Sequence, residues 1–138
     1  CGDGEMVLAE LGDDLTIKGP VRILFRASQA PWTRGFDGKN FVTDGPFLHR
    51  LKSGKLLMLW SSNGEKGYAM GMATADRIEG PWTHIPVPLI GQDGGHGMLF
   101  SKNGKLYVTY HMPNNPSGAE RPHYVEVREE NDRLVLAE

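Results

Sequence analysis

The chain of 138 residues repeats its own pattern, and this repeat limits the folds that it can adopt. Two glycine–proline pairs, Gly19-Pro20 and Gly80-Pro81, lie 61 residues apart, and each follows a segment of alternating apolar residues. Two hairpin sequences, KSGK at 52–55 and KNGK at 102–105, have their glycines 50 residues apart. A unit of about 50 to 60 residues with four short strands is typical of one blade of a β-propeller.

The apolar residues alternate with period two far more often than they recur at helical spacing, which predicts strands. The 18 glycines and 9 prolines also suit short strands joined by turns, and they disfavour long helices. We therefore expect no helix. The predicted strands are 5–11, 21–26, 46–51, 55–61, 67–74, 96–101, 105–111, 122–127 and 133–136.

A complete unit of the repeat contains an inner strand, a Gly-Lys hairpin, a second strand, a third strand, and an edge strand after Gly-Pro. The pattern divides the chain into the outer half of one blade at 1–36 and two blades at 41–90 and 91–138. We expect an all-β chain of about two and a half four-stranded antiparallel blades. The alternative is a small sandwich of two sheets made from duplicated hairpins.

A propeller needs at least four blades to close, so two and a half blades would leave apolar faces exposed. We expect these faces to be covered either by missing amino-terminal blades or by a homo-oligomer.

The composition excludes several classes of function. A net charge of −2 gives no reason to expect nucleic acid as a partner. No apolar run reaches the roughly 20 residues of a membrane-spanning helix, so we expect no membrane span. Cys1 is the only cysteine, which rules out an internal disulfide and a cysteine-based metal site. The sequence shows no charged-then-apolar leader, so we expect no export signal in it. The compartment is open between a secreted or periplasmic location, which we favour, and the cytoplasm.

Two residues at the predicted starts of inner strands are candidates for chemistry. Asp44, in Thr-Asp-Gly-Pro, would stand at the rim of a rigid strand, a suitable support for a proton donor. His96 lies between glycines in the equivalent place of the next blade, and inner strands converge on the propeller axis. The alternatives are a turn capped by the carboxylate of Asp44 and a histidine that is simply hydrogen-bonded.

Arg121 and Trp32 are candidates for binding a sugar. The planar guanidinium of Arg121 could hold vicinal hydroxyls or a carboxylate, although a surface ion pair with Glu120 explains it as well. Trp32 follows a proline and could stack on a sugar ring, but packing between blades uses tryptophan equally.

Taken together, several stretches resemble family 43 of the glycoside hydrolases, the arabinofuranosidase and xylosidase enzymes built as five-bladed propellers. The resemblance covers nearly the whole chain, as the carboxyl-terminal part of such a domain. It rests on FRASQAPW at 25–32, VTDGPFL at 42–48, LLMLWSS at 56–62, GGHGM at 94–98 and ERP at 120–122.

The resemblance implies roles for these residues. Asp44 falls where the family has its general acid, usually a glutamate, one methylene longer. His96 matches the axial histidine that helps to organise a calcium ion. Arg121 resembles the arginine that contacts the bound sugar, and Trp32 takes the place of a pocket-wall aromatic. The family's base and its pKa-tuning aspartate have no counterpart in 1–36, so the base aspartate is expected outside this chain.

Two functions therefore compete. The first is part of an inverting glycosidase that cleaves terminal α-L-arabinofuranosyl or β-D-xylosyl units from plant oligosaccharides or polysaccharides, with Asp44 as acid and calcium as a cofactor. The second is a non-catalytic carbohydrate-binding or structural half-propeller that associates with itself.

Overall fold

The computed structural model describes residues 2–137, and almost all of its regular structure is β-strand. The strands are β1 (Glu5–Leu11), β2 (Ile17–Arg26), β3 (Asp44–Arg50), β4 (Leu56–Gly64), β5 (Gly67–Ala75), β6 (Thr83–His84), β7 (Gly95–Lys102), β8 (Lys105–Met112), β9 (Arg121–Glu130) and β10 (Arg133–Leu136). One turn of 3₁₀ helix, Ala27–Gln29, is the only helical segment within this range. The all-β prediction is confirmed.

The strands form three antiparallel sheets. A two-stranded sheet pairs β1 with β2, and two four-stranded sheets run β3-β4-β5-β6 and β10-β9-β8-β7. In both larger sheets each strand pairs with the next along the chain, so every connection is short. The chain therefore folds as half of one blade followed by two complete blades, as the repeat predicts.

The hairpins form where the turn chemistry predicts them. Asn103 and Gly104 both have positive φ, at 52° and 75°, which is the backbone of a two-residue turn between twisted strands. Asn131 and Asp132 adopt the same conformation between β9 and β10, with φ of 51° and 58°. Asparagine, aspartate and glycine tolerate this region better than other residues, so these sequences fix the ends of the strands.

The middle sheet is buried on both faces, which stacks the three sheets in chain order. On one face of the β4–β5 pair, the side chains pack against the last sheet; this core contains Leu57, Leu59, Met70, Met72, Leu99, Val108, Val127 and Leu134. On the other face they pack against the β1–β2 sheet and the segment after it; this core contains Met6, Phe25, Ala27, Trp32, Met58, Trp60 and Ala69. Alternate residues of β4 thus enter different cores, because side chains alternate along a strand.

The two outer sheets each expose large apolar side chains. The β1–β2 sheet exposes Val7, Leu11, Ile17, Val21 and Ile23, and the last sheet exposes Met98, Phe100 and Tyr124. Among residues 2–137 no helix is long and apolar enough to cross a membrane.

Candidate functional site

The inner strands of the two complete blades, β3 and β7, each contain a β-bulge near their first residue. In β3 the pairing shifts between Asp44, opposite Ser61, and Phe47; in β7 it shifts between Gly95, opposite His111, and Met98. A bulge bends a strand and redirects its side chains, and bulges are common beside active sites. By register Asp44 corresponds to Gly95, so His96 lies one residue further along its strand than the equivalence with Asp44 predicted.

The bulges bring Asp44 and His96 into contact. Gly45 has φ of 51° and His96 has φ of 54°, and the imidazole lies over Gly45, where a Cβ would be 3.0 Å from Cγ of His96. Only glycine leaves this space, so Gly45 allows the ring to reach its neighbour. His96 Nδ1 then lies 3.1 Å from Asp44 Oδ2.

The carboxylate of Asp44 is fixed by several contacts. The hydroxyl of Tyr68 donates to Oδ2 at 2.7 Å, and the backbone N–H of Gly45 donates to Oδ1 at 2.9 Å. The backbone N–H of His96 donates to the hydroxyl of buried Ser61 at 2.9 Å, which joins the second bulge to the middle sheet. The side chain of Asp44 remains 44% exposed, so a ligand can reach it.

The contacts keep Asp44 ionised. Burial alone would raise the pKa of this carboxyl, but the hydrogen bond from Tyr68 and the imidazole of His96 outweigh it and lower the pKa below its ordinary value. Burial and the charge of Asp44 both raise the pKa of Tyr68, so the phenol keeps its proton and acts as a donor.

Sequence reasoning missed Tyr68. It is the second residue of β5, 24 positions from Asp44, and no motif surrounds it. The pairing of β4 with β5 brings it close, since β5 lies two strands from β3 in the same sheet. The only signal in the sequence was its place at the start of a strand, at the same end of the sheet as Asp44.

Arg121 lies at the first position of β9 and lines an open cavity of about 370 Å³ together with His96. Thr109, Tyr110, His111 and Glu120 are also in its wall. The guanidinium donates to the backbone oxygens of Glu120 and Gly118, at 2.7 and 3.4 Å, and the side chain of Glu120 bonds the backbone of Gly118 instead. The structure therefore brings Asp44, His96 and Arg121 to one region.

Trp32 lies elsewhere, in the core between the first two sheets. It is 5% exposed and packs on Trp60, with ring centroids 4.8 Å apart. Its indole covers Gly71, where a Cβ would be 2.5 Å from Nε1. Among the described residues no hydrogen bond or ring contact joins Trp32 to Asp44, His96 or Arg121, so this placement corresponds to the packing alternative for Trp32.

A larger cavity, of about 670 Å³, lies between the β1–β2 sheet and the segment before β6. Its lining includes four charged side chains, those of Glu10, Lys18, Arg22 and Glu79. Among the described residues none of the four is hydrogen-bonded to another as Asp44 is to His96. We therefore place the candidate site at the bulges.

Calcium prefers six to eight oxygen ligands. Within residues 2–137 no three acidic, histidine or cysteine side chains cluster as a metal site would require. His96 offers nitrogen, and its Nδ1 already contacts Asp44. The described residues therefore do not fit a calcium ion by themselves, and its oxygen ligands would have to come from outside them.

Comparison with solved structures identifies close relatives of this fold. The chain is 40% identical to an endo-arabinase from Bacteroides thetaiotaomicron, with a TM-score of 0.83 over 92% of this chain and 47% of the other. It is 24% identical to a thermostable family-43 glycoside hydrolase, with a TM-score of 0.80 over 96% of this chain and 46% of the other. A xylan β-1,4-xylosidase from Bacillus halodurans is 25% identical, with a TM-score of 0.70 over 94% of this chain and 26% of the other.

No protein-family model and no curated protein matches the chain. The chain spans about half the length of the first two solved structures that it resembles. The blades described here are therefore part of a larger propeller in those relatives.

Proposed function

The chain belongs to family 43 of the glycoside hydrolases, and on that premise we propose that it is the part of a glycosidase that carries the general acid, Asp44. The proposed reaction is inverting hydrolysis of terminal α-L-arabinofuranosyl or β-D-xylosyl units of plant oligosaccharides or polysaccharides. The supporting observation is the half-exposed carboxylate of Asp44, held by Tyr68 and His96 where the two inner strands begin.

The residues divide the work by their chemistry. Asp44 would deliver a proton to the glycosidic oxygen as the bond to the leaving group breaks. Arg121, on the wall of the cavity beside His96, would bond sugar hydroxyls through its planar fork. The base that activates water must stand across the sugar, since inverting enzymes separate their carboxyls by about 6.5–9.5 Å. We assign that base to a segment outside this chain.

The low pKa of Asp44 limits this role. A general acid must hold its proton near the working pH, whereas the contacts from Tyr68 and His96 favour the ionised carboxylate. A second negative charge close to Asp44 would raise its pKa. The proposal therefore requires a further carboxylate from outside the described residues.

The same observation favours a second candidate, a carbohydrate-binding module without catalysis. An ionised Asp44 accepts hydrogen bonds from sugar hydroxyls, and Arg121 donates to them, so the pair can bind a sugar with no proton transfer. Association through the exposed apolar faces of the outer sheets would complete such a module.

Azide and a poor leaving group test the acid role of Asp44 in the 138-residue chain. Phenyl α-L-arabinofuranoside and phenyl β-D-xyloside are suitable, because phenol, like tyrosine, has a pKa near 10 and leaves only with help from an acid. Azide needs no base, so it replaces the missing carboxylate and its water. Without the external carboxylate Asp44 carries its proton only at acid pH, because its pKa is lowered, so the assay is run at acid pH. We expect azide-dependent release of phenol there that Asp44→Asn abolishes and that Asp76→Asn, at an exposed aspartate, leaves unchanged.

The other outcomes separate the candidates when binding of arabino- and xylo-oligosaccharides is measured by calorimetry in parallel. Release with water alone that Asp44→Asn abolishes would retain the acid but overturn the external base. Release that survives Asp44→Asn would refute the acid role. Binding without any release would favour the binding module, and the absence of both would overturn both candidates.

A further inference from the structure

Tyr68 makes the shortest side-chain contact to Asp44 through its hydroxyl, which also lies beside that of Ser61. It donates to Oδ2 at 2.7 Å, the same oxygen that His96 Nδ1 approaches at 3.1 Å. Among residues 2–137, Oδ1 accepts only the backbone N–H of Gly45. The two side-chain contacts therefore converge on one oxygen and leave the other directed away from them, with a lone pair free.

The ring of Tyr68 is itself held in place. It is 7% exposed and stacks on His111, with ring centroids 5.6 Å apart and an angle of 17° between the planes. His111 Nε2 in turn lies 2.9 Å from Asn114 Oδ1. On the other blade Gly95 leaves room for the ring, because a Cβ there would be 2.7 Å from Cε1 of Tyr68.

The backbone of Tyr68 is joined to the next blade as well. Its carbonyl accepts the N–H of Gly94 at 2.9 Å. The side chain of Asp93, which precedes Gly94, accepts the backbone N–H of Tyr68 at 3.4 Å and that of Asn115 at 3.0 Å. These bonds fix the start of β5 against the segment that leads into β7, so Tyr68 has little freedom to move.

From this arrangement we propose that Tyr68 is a positioning residue that holds the carboxylate of Asp44 against His96 and keeps Oδ1 as the oxygen presented to a ligand. The inference rests on the proposed function, in which Asp44 is the general acid. The hydrogen bond itself does not depend on turnover. Tyr68 touches Asp44 and not the substrate, so it acts through the orientation and charge of that carboxylate.

The variant Tyr68→Phe tests the proposal, since it keeps the ring and removes only the hydroxyl. Losing this donor should raise the pKa of Asp44, because the hydrogen bond from Tyr68 lowers it in the intact protein. NMR of the carboxyl carbon of Asp44 through a pH titration measures this directly. Tyr124→Phe is the matched control, because Tyr124 is 69% exposed and should leave the titration unchanged.

Activity gives a second readout if the azide assay reports turnover. We expect Tyr68→Phe to lower the maximum of kcat along the pH profile about tenfold with KM within twofold, because Asp44 loses its orientation. The high-pH limb of the profile should move upward with the pKa of Asp44. A purely structural role would lower the amount of folded protein without moving this limb.

The unaltered protein keeps the proposal falsifiable if Tyr68→Phe does not fold. The Cζ resonance of Tyr68 should then titrate with the same midpoint as the carboxyl carbon of Asp44, and this response should vanish in Asp44→Asn. An unchanged pKa of Asp44 in folded Tyr68→Phe, or a Cζ resonance that ignores the titration of Asp44, would overturn the inference. Neither NMR result depends on hydrolysis, so a failure of this inference can be distinguished from a failure of the proposed glycosidase activity.

Discussion

Gly71 lies beneath the indole of Trp32, and replacing this glycine by alanine tests whether Trp32 is a core residue. The added Cβ would be 2.5 Å from Nε1 of Trp32, closer than real Cβ atoms approach any neighbour. Trp32 is 5% exposed and rests on Trp60, which is fully buried, so the indole has little space into which it can shift. The clash must therefore be relieved by moving the backbone or the ring.

Overpacking of this kind costs about 1–3 kcal/mol. For a domain of this size the loss corresponds to a decrease in Tm of roughly 4 °C per kcal/mol. Urea unfolding followed by tryptophan fluorescence measures the free energy of unfolding, and the m-value should stay constant if only stability changes. Gly91→Ala is the control, because the nearest atom to its Cβ is Cγ of Pro88 at 3.2 Å, and we expect a change within about 0.5 kcal/mol.

A double variant isolates the contact between the two residues. If Trp32 covers Gly71, Trp32→Leu should reduce the cost of Gly71→Ala, so that the two effects differ from their sum by about 1 kcal/mol or more. A Gly71→Ala variant as stable as the parent protein would refute the packing of Trp32 described here. That result would make Trp32 again a candidate for stacking on a sugar ring.

Three further predictions concern the sheets and their junctions. Burial lowers the pKa of His84, whose ring packs on Phe25 and whose nitrogens have no partner within the part of the chain that the structure describes. Stability should therefore fall as the pH drops through about 6.5, and His84→Phe should weaken this fall in urea titrations at pH 7 and 5. Glu129 accepts hydrogen bonds from the backbone N–H of Lys52 and from His49, and these bonds hold its pKa below the ordinary value despite burial. They therefore stabilise the folded protein above about pH 4.5, and this stabilisation is lost as the pH falls through the lowered pKa. Glu129→Gln should therefore cost about 1.5–3 kcal/mol at pH 7 and less at pH 3, and an equal cost at both pH values would contradict the assignment. Gly104→Ala should cost about 1 kcal/mol by thermal unfolding, because φ of 75° strains a residue with a Cβ, and a neutral result would argue against the two-residue turn.

The repeat predicted the fold because turn chemistry and alternation are local. Strands 5–11 and 133–136 match β1 and β10 at both ends, and the edge strand expected after Gly80-Pro81 is β6. The segment predicted at 21–26 begins earlier, as β2 (Ile17–Arg26), because Gly19-Pro20 lies within the strand where its pairing with β1 shifts. A proline fits there since β2 pairs on one side only, and a bulge accommodates its missing N–H. The exact division of the chain into 1–36, 41–90 and 91–138 stays a prediction.

The site was predicted in part, and the missing part is long-range. Asp44 and His96 were selected because both stand where inner strands begin, and they are in contact. The positive φ of His96 and the shift of one residue between the bulges follow from how β3 and β7 pair, which no local pattern encodes. Tyr68 was missed for the same reason. For Trp32 the sequence allowed either stacking on a sugar or packing between blades, and its burial places it in the core.

The charges around Asp44 determine what the proposed site needs in order to act as an acid. Within the described residues Asp44 faces a phenol that stays protonated and an imidazole, and both stabilise the carboxylate. A donor of protons needs the opposite influence, a nearby negative charge that makes ionisation costly. In the proposed function, the part of the site outside this chain must therefore contribute both the base and a carboxylate close to Asp44. The two halves of such a site would then depend on each other: one holds a carboxyl in position, and the other makes that carboxyl an acid.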